Sequence, residues 1–71
     1  MNADRIHKQI AYKIRAARTN RGVSQQWLSD RIGLTRTSVV NIEMGRQRPP
    51  IVTLMEIAKH LGVHVRRLLP S

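Results

Sequence analysis

The chain has 71 residues and a formal net charge of +9 at pH 7, because 13 lysine and arginine residues outnumber 4 acidic residues. This length predicts one domain, spanning residues 1–71, with a small core. The absence of cysteine excludes disulfides and thiolate metal sites. No apolar run approaches the roughly 18 residues of a membrane span, and no signal-peptide core stands near the start, so we expect a cytoplasmic protein.

The positive charge predicts a polyanionic partner, either a nucleic acid or an acidic membrane surface. Ten of the 13 cations are arginine, whose planar guanidinium group suits paired hydrogen bonds to phosphate and guanine better than it suits simple solubility. A membrane-surface peptide would concentrate its charge on one large amphipathic helix. Here the charge is spread over several short pieces, which favours nucleic acid.

The first predicted element is a helix that ends at Gly22, where a glycine can take the left-handed conformation. Asn2 or Asp4 can cap its start. Its apolar residues recur at helical spacings of four, four and three residues and are Ile6, Ile10, Ile14 and Ala17. Tyr12 falls off this stripe, so we expect it at the surface.

A second helix is predicted from two signals at its start. Ser24 is a good N-cap, and Val23 before it can pack against Leu28 as a hydrophobic staple. Trp27 projects away from the apolar side of this helix. It can stack on Arg31, fill a gap against the first helix, or place its indole N–H near a phosphate, and we favour plain packing.

The third piece contains TSVVNI (residues 37–42), whose composition favours a strand. It nevertheless begins with helix signals, because Thr35 can cap it and Leu34 can staple to Val39. A strand here would have no partner strand in the chain, and packing readily overrides the small cost of β-branched residues in a helix. We therefore predict a helix at residues 35–44, which follows a turn at Gly33.

A fourth helix is predicted after the prolines and ends at Gly62. Its apolar residues again recur at helical spacing and are Ile51, Leu54, Ala58 and Leu61. The last piece, residues 65–69, is long enough for one or two turns.

The third helix has two chemically different faces. A step of about 100° per residue turns Val39 and Ile42 toward the core. The other face carries Arg36, Thr37, Val40 and Asn41. Their side chains supply, in that order, a guanidinium group, a hydroxyl with a methyl group, an aliphatic group and an amide. Such groups read base edges in a major groove. An ordinary solvated face is usually filled with Glu, Lys and Ala, and this one has none, so we predict base readout by these four residues.

Residues 23–49, VSQQWLSDRIGLTRTSVVNIEMGRQRP, resemble the helix-turn-helix domains of phage repressors and Cro and of bacterial regulators of the xenobiotic-response-element type. The Glu-x-Gly of residues 43–45 and LMEIAKHLGV (residues 54–63) extend the resemblance over residues 10–69. It implies an all-α fold, a compact five-helix bundle of the lambda-repressor-like DNA-binding type. Helices 2 and 3, at about residues 24–45, would form the helix-turn-helix.

The same resemblance implies a function. Regulators of this kind bind double-stranded DNA as two-fold dimers, with the third helix in the major groove and half-sites roughly 34–36 Å apart. We therefore expect a homodimeric transcriptional regulator that binds a palindromic operator, and we expect it to be a repressor. It would act at the nucleoid of a bacterium or a phage host.

Phosphate contacts are expected beside the base-reading residues. They should come from Gln25 with the N-terminal amides of the second helix, and from Arg46 and Arg48 in the loop after the third helix. The resemblance implies that Arg18 pairs with Glu43 while leaning toward a phosphate. Glu43 therefore has the role of a structural ion-pair partner rather than of a catalytic carboxylate.

We expect dimer contacts in the fourth and fifth helices, around Leu61, Val63, Val65, Leu68 and Leu69.

The chain departs from the family at two places. Pro50 replaces the usual capping Ser or Thr before the fourth helix, and Arg66 and Arg67 replace acids near the start of the fifth helix. Cations at a helix N-terminus oppose the helix dipole by roughly 0.3–1 kcal/mol each. We therefore hypothesise that Arg66 and Arg67 meet an acidic partner.

Other classes of protein fit the residues less well. An enzyme is disfavoured by the lack of a cysteine nucleophile, of paired acids and of a Gly-rich phosphate loop. His60 and His64 have no third ligand and are separated by Gly62, so neither a metal nor a cofactor is expected. RNA binding would favour more aromatic residues. The main alternative is an antitoxin or adaptor that chiefly binds a partner protein. This alternative is disfavoured because few residues follow the predicted fold, whereas an antitoxin usually carries an extra segment.

Overall fold

In the computed structural model, residues 2–70 form four α-helices followed by a short 3-10 helix, and these residues contain no strand. The helices are α1 (Ala3–Arg21), α2 (Gln25–Ile32), α3 (Arg36–Glu43) and α4 (Ile51–Leu61), and the 3-10 helix spans Val65–Leu68. The two ends of the expected domain, residues 1 and 71, lie outside the described residues. None of the described helices is long and apolar enough to cross a membrane.

The predicted five-helix bundle is corrected at its last element, which is a 3-10 helix rather than an α-helix. Its hydrogen bonds run from the Arg67 N–H to the His64 carbonyl (2.9 Å) and from the Leu69 N–H to the Arg66 carbonyl (3.2 Å). Gly62 ends α4 in the left-handed conformation, and the backbone is extended again at Leu69. The residues between them are too few to offset the cost of nucleating an α-helix.

Side-chain caps define where the first three helices begin, as predicted. The Asn2 side chain accepts a hydrogen bond from the Arg5 N–H (3.2 Å), Ser24 accepts one from the Trp27 N–H (2.9 Å), and Thr35 accepts one from the Ser38 N–H (3.1 Å). The stretch TSVVNI is therefore helical, because its start is capped and its apolar side is covered. Pro50 gives α4 no side-chain cap.

One apolar core lies between the helices. α1 contacts α3, α4 and the 3-10 helix, and α2 contacts α3 and α4. The buried members of the core are Ile10, Ile14, Leu28, Val39, Ile42, Leu54, Ile57, Ala58, Leu61 and Leu68. Ile51 was expected on the core side of α4 but is 62% exposed at the first position of that helix. Tyr12 lies at the surface, as predicted.

Candidate nucleic-acid interface

The two sides of α3 differ in exposure. Val39 and Ile42 are each 1% exposed and belong to the core. On the other side, Arg36 and Thr37 are exposed at the start of the helix, while Val40 and Asn41 are half-buried beside them. The polar groups that can read base edges therefore lie on a helix whose opposite side packs into the core.

A buried ion pair holds α3 against α1. The Arg18 Nε donates to Oε2 of Glu43 at 2.6 Å, and the Arg18 Nη2 donates to Oε1 at 3.0 Å. The carboxylate side chain is 1% exposed and the guanidinium side chain 12% exposed, and such two-pronged pairs fix orientation as well as distance. Because Glu43 is the last residue of α3, this pair sets the position of the reading helix.

The same pair fixes the start of α2. The Gln25 Nε2 donates to Oε1 of Glu43 at 3.2 Å, and the Arg18 Nη1 donates to the Val23 carbonyl at 2.9 Å. The four groups thus connect α1, the turn before α2, the first residue of α2 and the last residue of α3. Among residues 2–70 no buried side-chain nitrogen or oxygen is left without a hydrogen-bond partner.

These contacts limit what Arg18 can offer to DNA. Its Nε–H is used by Glu43, whereas each terminal nitrogen keeps one N–H beyond the bonds described. The side chain lines two shallow depressions next to α3. A contact between the free N–H groups of the Arg18 guanidinium and a DNA phosphate stays a prediction.

The loop cations differ from each other. Arg46 is exposed, and its N–H donates to the Asn41 carbonyl at 2.9 Å, which ties the loop to the end of α3. Arg48 forms an ion pair with Asp4 in the first turn of α1, with side chains 51% and 79% exposed. Exposed pairs of this kind contribute little, so a phosphate can compete for Arg48.

The depressions beside α3 contain two polar residues that the sequence reasoning missed. Gln26 lies beside Arg36 and the cap residue Ser24, and Arg15 lies beside Arg18 and Val40. Arg15 precedes Arg18 by three positions on α1, and residues at this spacing share a helix face. That spacing was the signal that could have revealed Arg15 as a further phosphate-binding candidate.

A comparison with known protein families identifies the family to which this arrangement of helices belongs. The model of the HTH_3 helix-turn-helix family matches residues 14–68, which include α2, α3, α4, the 3-10 helix and the C-terminal part of α1. The chain belongs to the HTH_3 family. It is therefore a DNA-binding protein of a family of transcriptional regulators.

Two curated relatives come from Sinorhizobium fredii (strain NBRC 101917 / NGR234), and both carry the name HTH-type transcriptional regulator. Regulator y4dL is 32% identical over 68 residues, which cover 90% of this chain and 35% of y4dL. Regulator y4dJ is 30% identical over 67 residues, which cover 93% of this chain and 87% of y4dJ. The HTH_3 chain thus spans about a third of one relative and most of the other.

A solved structure shares the fold. The DNA-binding domain of BldD is 30% identical to this chain and has a TM-score of 0.85, and the match covers 97% of this chain and 100% of that domain. The likeness extends over all the elements that position the polar side of α3.

Trp27 belongs to α2, outside the polar side of α3, and two arginines lie over its ring. The guanidinium carbons of Arg31 and Arg21 stand 4.8 Å and 5.5 Å from the centre of its ring. The ring also packs against the core, so the stacking on Arg31 and the packing are both present. The contact with Arg21 was not predicted, because Arg21 belongs to α1 and reaches Trp27 only through the fold.

The structure corrects part of the expected dimer surface. Leu61 is 3% exposed and Leu68 is fully buried within the single chain, so neither can contact a second copy while the HTH_3 fold is intact. Val63, Val65 and Leu69 are half-buried. Three of the exposed apolar side chains lie near the start and middle of α4, with Ile51 62%, Val52 67% and Met55 54% exposed.

The histidines make local contacts. The His60 Nε2 lies 3.5 Å from a Glu56 carboxylate oxygen, and the His64 Nδ1 accepts a hydrogen bond from the Arg66 N–H at 3.1 Å. No group of three or more His, Cys, Asp or Glu residues in the described chain could hold a metal ion.

Proposed function

We propose that the HTH_3 chain binds double-stranded DNA in a sequence-specific manner, as a dimeric cytoplasmic repressor that places α3 in the major groove. The observation that carries this proposal is the exposure of Arg36 and Thr37 beside half-buried Val40 and Asn41 on one side of α3. Arginine can pair with guanine, asparagine can pair with adenine, and methyl groups can contact thymine. The buried Arg18–Glu43 pair supports the proposal, because base readout requires a rigid reading helix.

Selection of bound duplexes from a random pool at two salt concentrations tests this function. We expect a palindrome whose half-sites repeat about one helical turn apart, with its enrichment retained at the higher salt. Salt-sensitive binding without sequence enrichment would overturn the proposal, because phosphate contacts alone carry no sequence information. That result would favour the adaptor alternative.

Arg46→Ala is expected to weaken binding to every duplex by a similar factor. Arg46 is exposed in the loop after α3 and has no described carboxylate partner within 4 Å, so its loss should remove one phosphate contact. The slope of log affinity against log salt should fall by about one unit. Fluorescence anisotropy with a half-site duplex at several salt concentrations measures both quantities.

Arg66→Ala is the matched control for this measurement, since it removes an equally exposed arginine from the 3-10 helix. Its salt slope should equal that of the unmodified chain. A change of base preference in Arg46→Ala would contradict the phosphate role.

The dimer contact is proposed on the outer side of α4. Val52 and Met55 supply exposed apolar area, and Glu56 and Lys59 are exposed on the same helix. A step of about 100° per residue places all four within one arc of roughly 100°. In an antiparallel two-fold pairing of α4 with its copy, each Glu56 can face the partner's Lys59, so the surface is self-complementary.

The double variant Val52→Glu, Met55→Glu is expected to be monomeric at concentrations where the unmodified chain forms dimers. Like charges brought together in an apolar contact should prevent association. Analytical ultracentrifugation measures the change, and half-site affinity should stay the same. Tyr12→Glu is the matched control, because Tyr12 is 71% exposed and lies on α1; an equal effect there would contradict the α4 surface.

Arg66 and Arg67 remain candidates for contact with an acidic group of a partner. Both are exposed in the 3-10 helix, and neither pairs with a carboxylate among residues 2–70. Arg66→Glu combined with Arg67→Glu should weaken association while half-site DNA contacts stay intact. A merely more stable protein with unchanged assembly in ultracentrifugation would contradict the hypothesis.

A further inference from the structure

A cleft lies between α1, the end of α4 and the segment that leads into the 3-10 helix. It has a volume of about 590 Å³, which is within the range of small-molecule sites. Its lining combines small or apolar residues with cationic and polar ones. The small or apolar residues are Ala16, Ala17, Leu61, Gly62 and Val63, and the cationic and polar residues are Lys13, Asn20, Arg21 and Arg67.

Two of the three cations of the cleft, Arg21 and Lys13, are held in position. The guanidinium carbon of Arg21 lies over the Trp27 ring at 5.5 Å. A Cβ at Gly62 would come within 3.1 Å of the Arg21 Nη1, so the glycine leaves room for this side chain. The Lys13 Nζ donates to the Leu69 carbonyl at 2.8 Å. Ordering cations before a ligand arrives reduces the entropy that binding costs.

The charge of the cleft is not balanced within the described chain. No carboxylate among residues 2–70 lies within 4 Å of Lys13, Arg21 or Arg67. The C-terminal ends of α1 and α4 border the cleft at Arg21 and Gly62, and each supplies a partial charge of about −0.5. Three full positive charges therefore exceed the nearby negative charge by about two, which an anion would balance.

DNA binding does not explain these cations. The depressions beside α3 contain Arg15 and Arg18, and the cleft shares no residue with them. A step of about 100° per residue places Lys13 and Arg15 roughly 160° apart around α1. The cleft and the proposed DNA-reading surface thus lie on different sides of that helix.

We infer that this cleft binds a small organic anion that carries phosphate or carboxylate groups. The anionic groups bind Lys13, Arg21 and Arg67, and Asn20 adds a neutral hydrogen-bonding side chain. The apolar part of the ligand packs on Ala17 and Val63. This assignment goes beyond DNA recognition and stands whether or not the operator is palindromic.

The test is a titration of the full ¹⁵N-labelled chain, without DNA, with pyrophosphate and separately with ADP, at constant ionic strength. We expect saturable amide shifts at Asn20, Gly62 and Val63, together with a change in Trp27 fluorescence, because an anion bound to Arg21 lies beside the Arg21–Trp27 contact. Arg21→Gln and Arg67→Gln should each weaken binding about tenfold, which is the loss typical of one charge-assisted hydrogen bond. Circular dichroism melting curves establish that both variants fold.

Arg5→Gln is the matched control, because Arg5 is an exposed arginine of α1 that does not line the cleft. It should bind both probes like the unmodified chain. The inference is overturned if neither probe saturates the shifts below about 10 mM, if the shifts centre on Gln25, Arg36 and Arg46, or if Arg5→Gln weakens binding as much as Arg67→Gln. Binding of a polyglutamate peptide but of neither small anion would also overturn it.

Discussion

Glu43→Ala is expected to lower the free energy of unfolding by about 3–5 kcal/mol, because it leaves the guanidinium group of Arg18 buried without its carboxylate. The Arg18 side chain is 12% exposed, so water can replace little of what is lost. Gln25 would lose its acceptor as well. A domain of this length has a total stability of roughly 4–11 kcal/mol, so the loss is a large fraction of it. Urea denaturation followed by circular dichroism measures the change.

The control removes both charges at once. Arg18→Met combined with Glu43→Leu replaces the pair by apolar side chains of similar size, and such replacements of buried pairs are often neutral or stabilising. We therefore expect the double variant to be more stable than Glu43→Ala alone. A loss below about 1 kcal/mol in Glu43→Ala, within the range of exposed ion pairs, would show that the Arg18–Glu43 pair does not fix α3.

Arg36→Ala is expected to weaken binding to the selected operator by about 1–3 kcal/mol and to relax the preference at one base position. Arg36 is exposed at the first position of α3, where its paired N–H donors can reach a guanine edge. Its contribution should appear in discrimination between bases and not only in affinity. Anisotropy titrations with every single-base variant of the operator measure both effects.

Asn41→Ala provides the comparison for Arg36. Asn41 is half-buried on the same side of α3, and an asparagine that pairs with adenine predicts a relaxed preference at a different position. Arg36→Lys should keep the charge but lose the paired geometry, so discrimination should fall more than affinity. An equal loss on all duplexes in Arg36→Ala would show that this residue contacts phosphate rather than a base.

Much of the site could be predicted from short-range patterns. Ser24 and Thr35 cap helices through hydrogen bonds that span three residues, and such contacts depend on neighbouring sequence alone. The sorting of Val39 and Ile42 from Arg36 and Thr37 follows from the helical period. These local rules were sufficient to recognise TSVVNI as helical and to choose the residues proposed to read DNA.

The sequence by itself determined the all-helical class, the caps of the first three helices, the polar side of α3 and the expectation of an anionic partner. Only the tertiary structure decided that Leu61 and Leu68 are core residues while Val52 and Met55 are exposed. It also brought Arg21 onto Trp27 and beside Gly62. Periodicity fixes the direction of a side chain on its own helix, whereas burial depends on which distant segment covers that direction, and this is set by the packing of the whole chain.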